Sequence, residues 1–277
     1  MIRIESEGLA DLELDGWSDG INCRVFDPGW PQTRAVASNR PLADGTDDQT
    51  AFVGPRLVSL TLDVFSTPVA TRRERLDELA AFCHPGRRSE LFFADPADEP
   101  ERRILVRADQ GSAPLYSPSE TPVQVMFVGY TGLVEAAATT TVTVPPLAPA
   151  DGAPFDWEWP VSFPAASPTA TVATSAGSMA AWPTIRIDGP CYGPVVACDT
   201  LVLSFPDLAI DAGHYLVIDT AARTVLLDGT ADRRSSLDPA VSAWWQIQPG
   251  TNDLFFTPEL SGPDAEATVT WRDTYFL

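Results

Sequence analysis

The chain has 277 residues, of which 44% are hydrophobic and 20% are charged, a balance typical of a folded protein rather than a disordered one. Its formal net charge is −20 and all 18 basic residues are arginines, which excludes any mechanism that needs a lysine and argues against tight nucleic-acid binding. No apolar run is long enough to span a membrane, and the acidic start at Met1–Glu5 predicts no signal peptide.

Alternating hydrophobicity predicts strands in the first half of the chain. In Arg56–Val64 every second residue is a large aliphatic one, which is the period of a half-buried strand. Further strands are predicted at Glu90–Phe93, Arg103–Arg107 and Pro122–Gly129. The first half is therefore predicted to be a β-barrel or β-sandwich.

One helix is predicted within this half, at Thr71–Cys83. Ser66 or Thr67 is the expected cap, and His84-Pro85-Gly86 ends the helix. The expected buried stripe consists of Leu76, Leu79, Ala80 and Cys83. The outer side carries Arg72, Arg73 and Arg75, which are candidate interface residues.

Trp30–Phe52 is predicted to be a long polar loop. It contains two prolines, a glycine and the acidic residues Asp44, Asp47 and Asp48. Loops of this length in compact domains are usually functional or become ordered by partners. The acidic cluster lacks the continuation of an EF-hand, so an exposed turn and interface candidate is favoured over a calcium site.

A Pro-rich stretch divides the chain. The predicted domains are residues 1–144 and 166–277, joined by a linker at 145–165 that favours extended backbone. Trp157 and Trp159 alternate within the linker.

The second half is predicted to be all β. Short strands separated by Gly, Pro and Asn are typical of a β-sandwich. They are expected at Thr184–Asp188, Thr200–Phe205, His214–Asp219, Arg223–Asp228, Trp244–Gln248, Asp253–Phe256 and Glu266–Asp273.

No pattern in the sequence indicates catalysis, a cofactor or a metal. The two histidines, His84 and His214, stand outside any triad or zinc spacing. The cysteines are Cys23, Cys83, Cys191 and Cys198. Cys83 is predicted to be core; Cys191 and Cys198 allow a disulfide across a turn, but a reduced pair is favoured. A glycan-cleaving enzyme is therefore disfavoured.

The tryptophans allow two interpretations. Alternating Trp157 and Trp159, or Trp245, would stack on sugar rings if they were exposed, whereas strand aromatics more often fill a core. Adjacent Trp244 and Trp245 must point to opposite faces if both lie on one strand. Trp244, Trp245 and Trp271 are therefore interface candidates as well as core candidates.

The ordered set of elements resembles a known family. The residues that carry this resemblance are Trp244–Phe256 with the strand that closes on Trp271-Arg272-Asp273, the hairpin Leu216–Val225, and the order Val58–Val64, Arg72–Cys83, His84-Pro85-Gly86, Leu91-Phe92-Phe93. Together they resemble the distal tail proteins of long-tailed bacteriophages over nearly the whole chain. The lysine-free, Pro-rich composition suggests a phage or prophage of an actinobacterium with a GC-rich genome.

The resemblance implies a fold and a set of partners. The fold would be a tail-tube-like β-barrel or sandwich with one flanking helix, followed by a galectin-like β-sandwich. Six copies would form a ring between the tail tube protein and the tail-tip hub protein, and the sandwich would carry receptor-binding proteins at the periphery. DNA would pass through the ring without specific binding. The protein would be made in the host cytoplasm and end in the virion, with no membrane insertion.

The main alternative is a carbohydrate-binding module. In that case the sandwich would contact cell-wall glycans through Trp157, Trp159 or Trp245. Burial of these side chains decides between the two functions, since a sandwich fold alone does not establish sugar binding.

Overall fold

The structure is a computed structural model. It describes residues 2–16, 20–35, 38–39, 44, 46–47, 51–67, 70–94, 100–112, 122–147 and 170–277. The described part is almost entirely β, with one α-helix, which confirms the predicted fold class. The chain forms two compact units: Met1–Ala138 together with Thr274–Leu277, and Thr139–Asp273.

The elements up to residue 138 are β1 (Ile2–Ser6), β2 (Leu12–Glu13), β3 (Asp15–Gly16), β4 (Ile21–Asp27), β5 (Pro31–Ala35), β6 (Ser38–Asn39), β7 (Thr46–Asp47), β8 (Ala51–Val64), α1 (Arg72–Phe82), β9 (Ser89–Phe93), β10 (Arg102–Ser112), β11 (Val123–Gly129) and β12 (Val134–Ala136). The later strands are β13 (Thr140–Val144), β14 (Thr171–Ser175), β15 (Thr184–Asp188), β16 (Cys191–Tyr192), β17 (Val195–Cys198), β18 (Leu201–Ser204), β19 (Ala209–Ile210), β20 (Tyr215–Asp219), β21 (Thr224–Leu227), β22 (Ala231–Asp232), β23 (Gly250–Phe256), β24 (Leu260–Ser261), β25 (Glu266–Trp271) and β26 (Thr274–Tyr275).

The first unit is built on one curled sheet with the strand order β2-β1-β9-β10-β11-β8-β4-β3. The alternation predicted for β8 is confirmed, because Val58, Leu60, Leu62 and Val64 are all buried. Phe26 on β4 and Phe93 on β9 lie 4.9 Å apart between ring centroids, although three strands separate β4 from β9 in the sheet. The sheet therefore curls around its core in a barrel-like manner.

Helix α1 begins one turn later than the predicted cap. Thr71 is the N-cap, and it forms a capping box with Glu74. Ser66 still contributes, since its Oγ accepts a hydrogen bond from the backbone N–H of Arg72 at 3.0 Å. The predicted apolar stripe is only partly right: Leu76 and Leu79 are buried with Phe82, whereas Ala80 is exposed and Cys83 half-buried. Phe82 continues the three-residue spacing and buries a larger apolar surface than Ala80.

The segment predicted as a polar loop contains strands. Within Trp30–Phe52, β5 pairs with the start of β8, and β6 pairs with β7. β-Prone residues at both ends of the segment, such as Thr33 and Phe52, favour this ribbon over a loop.

The second unit is a β-sandwich, as predicted. A six-stranded sheet in the order β13-β25-β15-β20-β21-β22 and a four-stranded sheet in the order β14-β23-β17-β18 enclose one hydrophobic core. A small sheet, β19-β16-β24, completes the unit.

The strand predicted at Trp244–Gln248 is wrong. Within it, only Ile247 forms an isolated bridge, with Ala181. The side chain of Asn252 both accepts from the backbone N–H of Gln248 and donates to its carbonyl oxygen, which turns the chain there. The backbone N–H and carbonyl oxygen of Gln248 are therefore not free to pair with a neighbouring strand.

The boundary between the units differs from the predicted one at residue 144. Strand β13 pairs with β25 over its whole length and so belongs to the sandwich. Conversely, Thr274–Leu277 lies in the first unit, because β26 pairs with β12. Most of the predicted linker, residues 148–165, lies outside the described residues.

Candidate interaction surfaces

A two-stranded ribbon is formed by β5 and the first residues of β8. In it Thr33 pairs with Val53, and Arg34 pairs with Phe52. The accessible fraction is 64% for Phe52, which pairs with Arg34, and 67% for Trp30, which comes directly before β5. An isolated two-stranded ribbon is marginally stable in water, and exposed apolar patches often mark contacts with other proteins. The ribbon is therefore a candidate contact surface.

The base of the ribbon is held by a fully buried arginine. Arg56 donates from Nε to the carbonyl oxygen of Gly132 at 2.9 Å and from Nη2 to that of Phe276 at 2.5 Å. Its Nη1 donates to the carbonyl oxygens of Pro28 and Gly29. Burial lowers the pKa of Arg56, but guanidinium groups in proteins stay protonated. One side chain thus joins three other chain segments at the start of the ribbon.

An acidic groove of about 400 Å³ runs along β1 and β9. Glu5 and Glu90 face each other across these strands. Arg3 pairs with Glu5 at 2.8 Å, and Arg103 pairs with Glu90 at 2.7 Å. These two ion pairs offset the repulsion of like charges placed directly opposite each other.

Three further residues of the groove are left without partners. Glu7 and Asp11 form no ion pair within the described part of the chain, and both are exposed. The Oγ of Ser89 is buried and has no hydrogen-bond partner among the described residues. Ser89 lies on the same side of β9 as the core residues Leu91 and Phe93, so its hydroxyl does not face the groove. The groove therefore offers the carboxylates of Glu7 and Asp11, together with one cation, Arg88, to a partner from outside the chain.

An apolar groove of about 290 Å³ adjoins the acidic one through Asp11. Its apolar walls are formed by Leu9, Leu12, Ala81 and Phe82. The ion pair between Arg75 and Glu78, 2.7 Å long, lies at its rim. The groove therefore offers apolar surface from the β1–β2 turn and from the end of α1.

The interface candidates on the helix bind within their own chain. Arg72 donates from Nε to the carbonyl oxygen of Val64 at 2.9 Å. Arg73 pairs with Asp77 at 3.2 Å, and Arg75 pairs with Glu78 as described above. Of these three, only Arg73 is largely exposed.

The acidic candidates of the predicted loop are only partly described. Asp44 is exposed, and Asp47 lies in β7. Asp48 lies outside the described residues, as do Trp157 and Trp159.

The other tryptophan candidates lie in or against the sandwich core. Trp245 and Trp271 are 1% and 2% exposed, and half-buried Trp244 packs against the same core. The indole N–H of Trp271 donates to Asp273 at 3.0 Å. Trp245 and Trp271 therefore present almost no surface to a sugar or a partner.

The described residues hold no group of three side chains that would bind a metal. All four cysteines are free. Burial raises the pKa of the Cys191 thiol to about 11 and that of Cys198 to about 12, so both thiols are protonated at neutral pH and unreactive. No helix in the described part of the chain is long and apolar enough to cross a membrane.

His214 forms the one histidine ion pair found among the described residues. Its Nδ1 lies 2.7 Å from Oδ2 of Asp228. The hydrogen bond and charge of Asp228 raise the pKa of His214, and the same hydrogen bond lowers the pKa of Asp228. His84 is exposed, and its Nδ1 accepts from the backbone N–H of Gly86. Neither histidine faces a nucleophile in the described contacts.

The chain belongs to the class of mainly-β proteins in which a curled barrel-like sheet is followed by a β-sandwich, and known proteins share this arrangement. Residues 176–275 match the family described as siphovirus-type tail component, C-terminal domain. The second unit is therefore similar to a tail component domain, which agrees with the resemblance found in the sequence.

The whole chain also has the fold of a solved protein of that kind, the SPP1 Dit (gp 19.1) protein, described as a paradigm of the hub adsorption apparatus in phages that infect Gram-positive bacteria. The TM-score is 0.67 at 15% identity, over 99% of both chains. Chains of the phage p2 baseplate in its activated conformation match with TM-scores of 0.49 with Sr and 0.48 with Ca, each at 8% identity over 97% of both chains. No curated protein matches the chain in sequence.

The sequence alone did not single out the ribbon's Arg34 and Phe52 or the grooves around Asp11. The available signal was the pair of β-prone segments that flank the Pro- and Asp-rich stretch, which is a hairpin pattern with a long connection. The grooves had no signal, because their walls come from separate segments of the chain.

Proposed function

We propose that this protein is a structural component of the distal end of a phage tail. Six copies form a ring that joins the tail tube to the tail-tip hub. The first unit forms the ring, and the galectin-like second unit lies at the periphery and carries host-recognition proteins. The observation that carries the proposal is the likeness in fold to SPP1 Dit over 99% of both chains, joined to the family match of the second unit.

The surface and charge of the chain support this assignment. The first unit exposes apolar side chains on the ribbon, as expected of a subunit that packs against other copies of the chain. Six copies at −20 each carry a formal charge of −120, which would repel DNA phosphates and let the genome pass without binding. A channel wall lined with arginine would contradict this account of DNA passage.

The oligomeric mass of the purified full-length chain tests the proposal. Light scattering over a range of concentrations is expected to give six times the chain mass of 29.8 kDa, and negative-stain images should show a central hole. A mass of one chain at every concentration would overturn a self-assembling ring.

The carbohydrate-binding alternative is weakened by the burial of Trp245. Trp157 and Trp159 lie outside the described residues. A glycan-binding screen with the W157A/W159A variant as control therefore tests whether these two tryptophans bind glycans. Glycan binding that disappears in the variant would favour this alternative.

A further inference from the structure

The ribbon presents a basic and an apolar side chain next to each other. Arg34 and Phe52 are cross-strand partners, so their side chains leave the same face of the ribbon with Cβ atoms about 5 Å apart. Both are exposed, and Arg34 forms no ion pair among the described residues. A guanidinium next to an aromatic ring is a common anchor of protein interfaces.

The grooves present the complementary pair of surfaces. The acidic groove contains the unpaired carboxylates of Glu7 and Asp11, and its lining also includes the exposed Arg88. The apolar groove begins on the other side of Asp11, with Leu9 and Phe82 in its walls. An arginine placed in the first groove would hold a neighbouring aromatic ring over the second.

The ribbon and the grooves lie on opposite sides of one row of residues across the sheet, because Phe52 precedes Arg56 on β8 whereas Glu7 and Asp11 follow Ser6, and β8 and β1 run in the same direction. A continuous row of paired residues runs across five strands: Arg56, Gly129, Val106, Ser89 and Ser6. Arg56 lies at the base of the ribbon, and Ser6 and Ser89 line the acidic groove. Four strand spacings of about 4.8 Å separate the two ends of the row, or about 19 Å measured along the sheet.

We infer that the ribbon of one copy docks into the grooves of the next copy, with Arg34 against Glu7 and Asp11 and Phe52 against Leu9 and Phe82. This inference rests on the proposed ring. The contact is heterologous, because two different surfaces of the same chain meet, and repeated contacts of this kind close into a ring or continue as a filament.

Charge reversal on the two surfaces tests the contact. Arg34→Glu and Glu7→Arg each place like charges together and are expected to weaken assembly of the full-length chain. The R34E/E7R double variant exchanges the two charges and is expected to recover most of the loss. Phe52→Asp puts a charge in the apolar groove and is expected to raise the dissociation constant by about 30-fold or more. Sedimentation and native mass spectrometry measure these changes.

The controls separate this contact from the ring itself. Arg223→Glu makes the same charge change at an exposed position of the sandwich, and Leu260→Asp makes the same apolar-to-acidic change at a residue that is 69% exposed. Both are expected to assemble as the wild type does, and circular dichroism should show that every variant is folded.

Each outcome is decisive. If the wild type and all variants form the same ring, the ring stands and the inferred contact is wrong. If the wild type stays a single chain at every concentration, both the ring and the contact are overturned. Binding of the ribbon to a different tail protein would appear as variants that assemble normally but lose that partner, which also contradicts the inference.

Discussion

A single buried cation without a carboxylate partner organises one end of the first unit. Arg56 is satisfied by backbone carbonyl oxygens alone, from segments as far apart in sequence as Gly132 and Phe276. Hydrogen bonds from a charged donor are stronger than neutral ones. Here the acceptors are carbonyl oxygens that belong to separate segments of the main chain. The side chain is therefore a structural connector rather than a binding group.

Arg56→Met keeps the length of the side chain but removes every donor. Several carbonyl oxygens would then be buried without a partner, at a cost of about 1–3 kcal/mol each. We expect the free energy of unfolding of the first unit to fall by about 3 kcal/mol, measured by amide hydrogen exchange. Arg107→Met, at an exposed position of β10, is the matched control and should change it by less than about 0.5 kcal/mol.

The pair of His214 and Asp228 predicts a pH dependence confined to the sandwich. Because the pKa of His214 is raised on folding, its contribution to stability is complete below the ordinary value of about 6.5 and is lost as the pH rises through the folded value. Because the pKa of Asp228 is lowered, its contribution is present above the ordinary value of about 3.9 and is lost as the pH falls through the folded value. The pair therefore stabilises most at about pH 4–6.5.

Asp228→Asn tests this window. The asparagine keeps an Oδ1 that can accept from the backbone N–H of Tyr215, so the variant removes mainly the charge. The melting temperature of the variant should fall below that of the wild type near about pH 5, and the difference should shrink as His214 deprotonates. A difference that is constant from acid to alkaline pH would show that the ion pair contributes nothing.

At the scale of elements, α1 shows how a short helix is fixed at its start. Thr71 and Glu74 satisfy each other's backbone N–H groups in a capping box, and Ser66 accepts the backbone N–H of Arg72. The last turn has no basic residue to interact with the helix dipole. Capping at the N-terminus therefore carries more of the stability of this helix.

Thr71→Ala should cost about 1 kcal/mol of local stability, since the cap oxygen is lost. Hydrogen exchange of the amides from Leu76 to Phe82 measures the effect. Thr200→Ala, in an exposed turn of the sandwich, is the control. Equal protection of these amides in wild type and T71A would show that packing alone holds the helix.

At the scale of the molecule, the chain leaves the first unit, builds the sandwich and returns. Strands β12 and β26 are neighbours in the first unit although the whole second unit lies between them in sequence. The returning residues include buried Thr274 and the carbonyl oxygen of Phe276, which accepts from Arg56. The first unit is therefore completed only after the sandwich has been made.

Truncation after Asp273 should destabilise the first unit by about 3 kcal/mol, because Arg56 loses an acceptor and apolar contacts of Tyr275 and Phe276 are removed. The sandwich should be unaffected, since Asp273 and its hydrogen bond to Trp271 are kept. Hydrogen exchange resolved over the two units measures both effects. Equal loss of protection in both units would contradict this assignment of the last residues.

The sequence by itself determined the helix, several of the strands and many of their buried side chains. Alternation in β8 and β15 and the helical spacing of Leu76 and Leu79 are local patterns, and local patterns report burial directly. The two-part organisation and the tail-protein resemblance also followed from the order of such elements.

The tertiary structure alone decided which distant segments meet. The alternating pattern of a strand does not identify the strand it pairs with. The pairing of β13 with β25 in the sandwich and of β26 with β12 in the first unit was therefore not predicted. Arg56 and Phe276 are 220 residues apart, and the groove beside Asp11 draws its walls from the β1–β2 turn and from α1. Such contacts depend on the packing of the folded chain, and no short stretch of sequence encodes them.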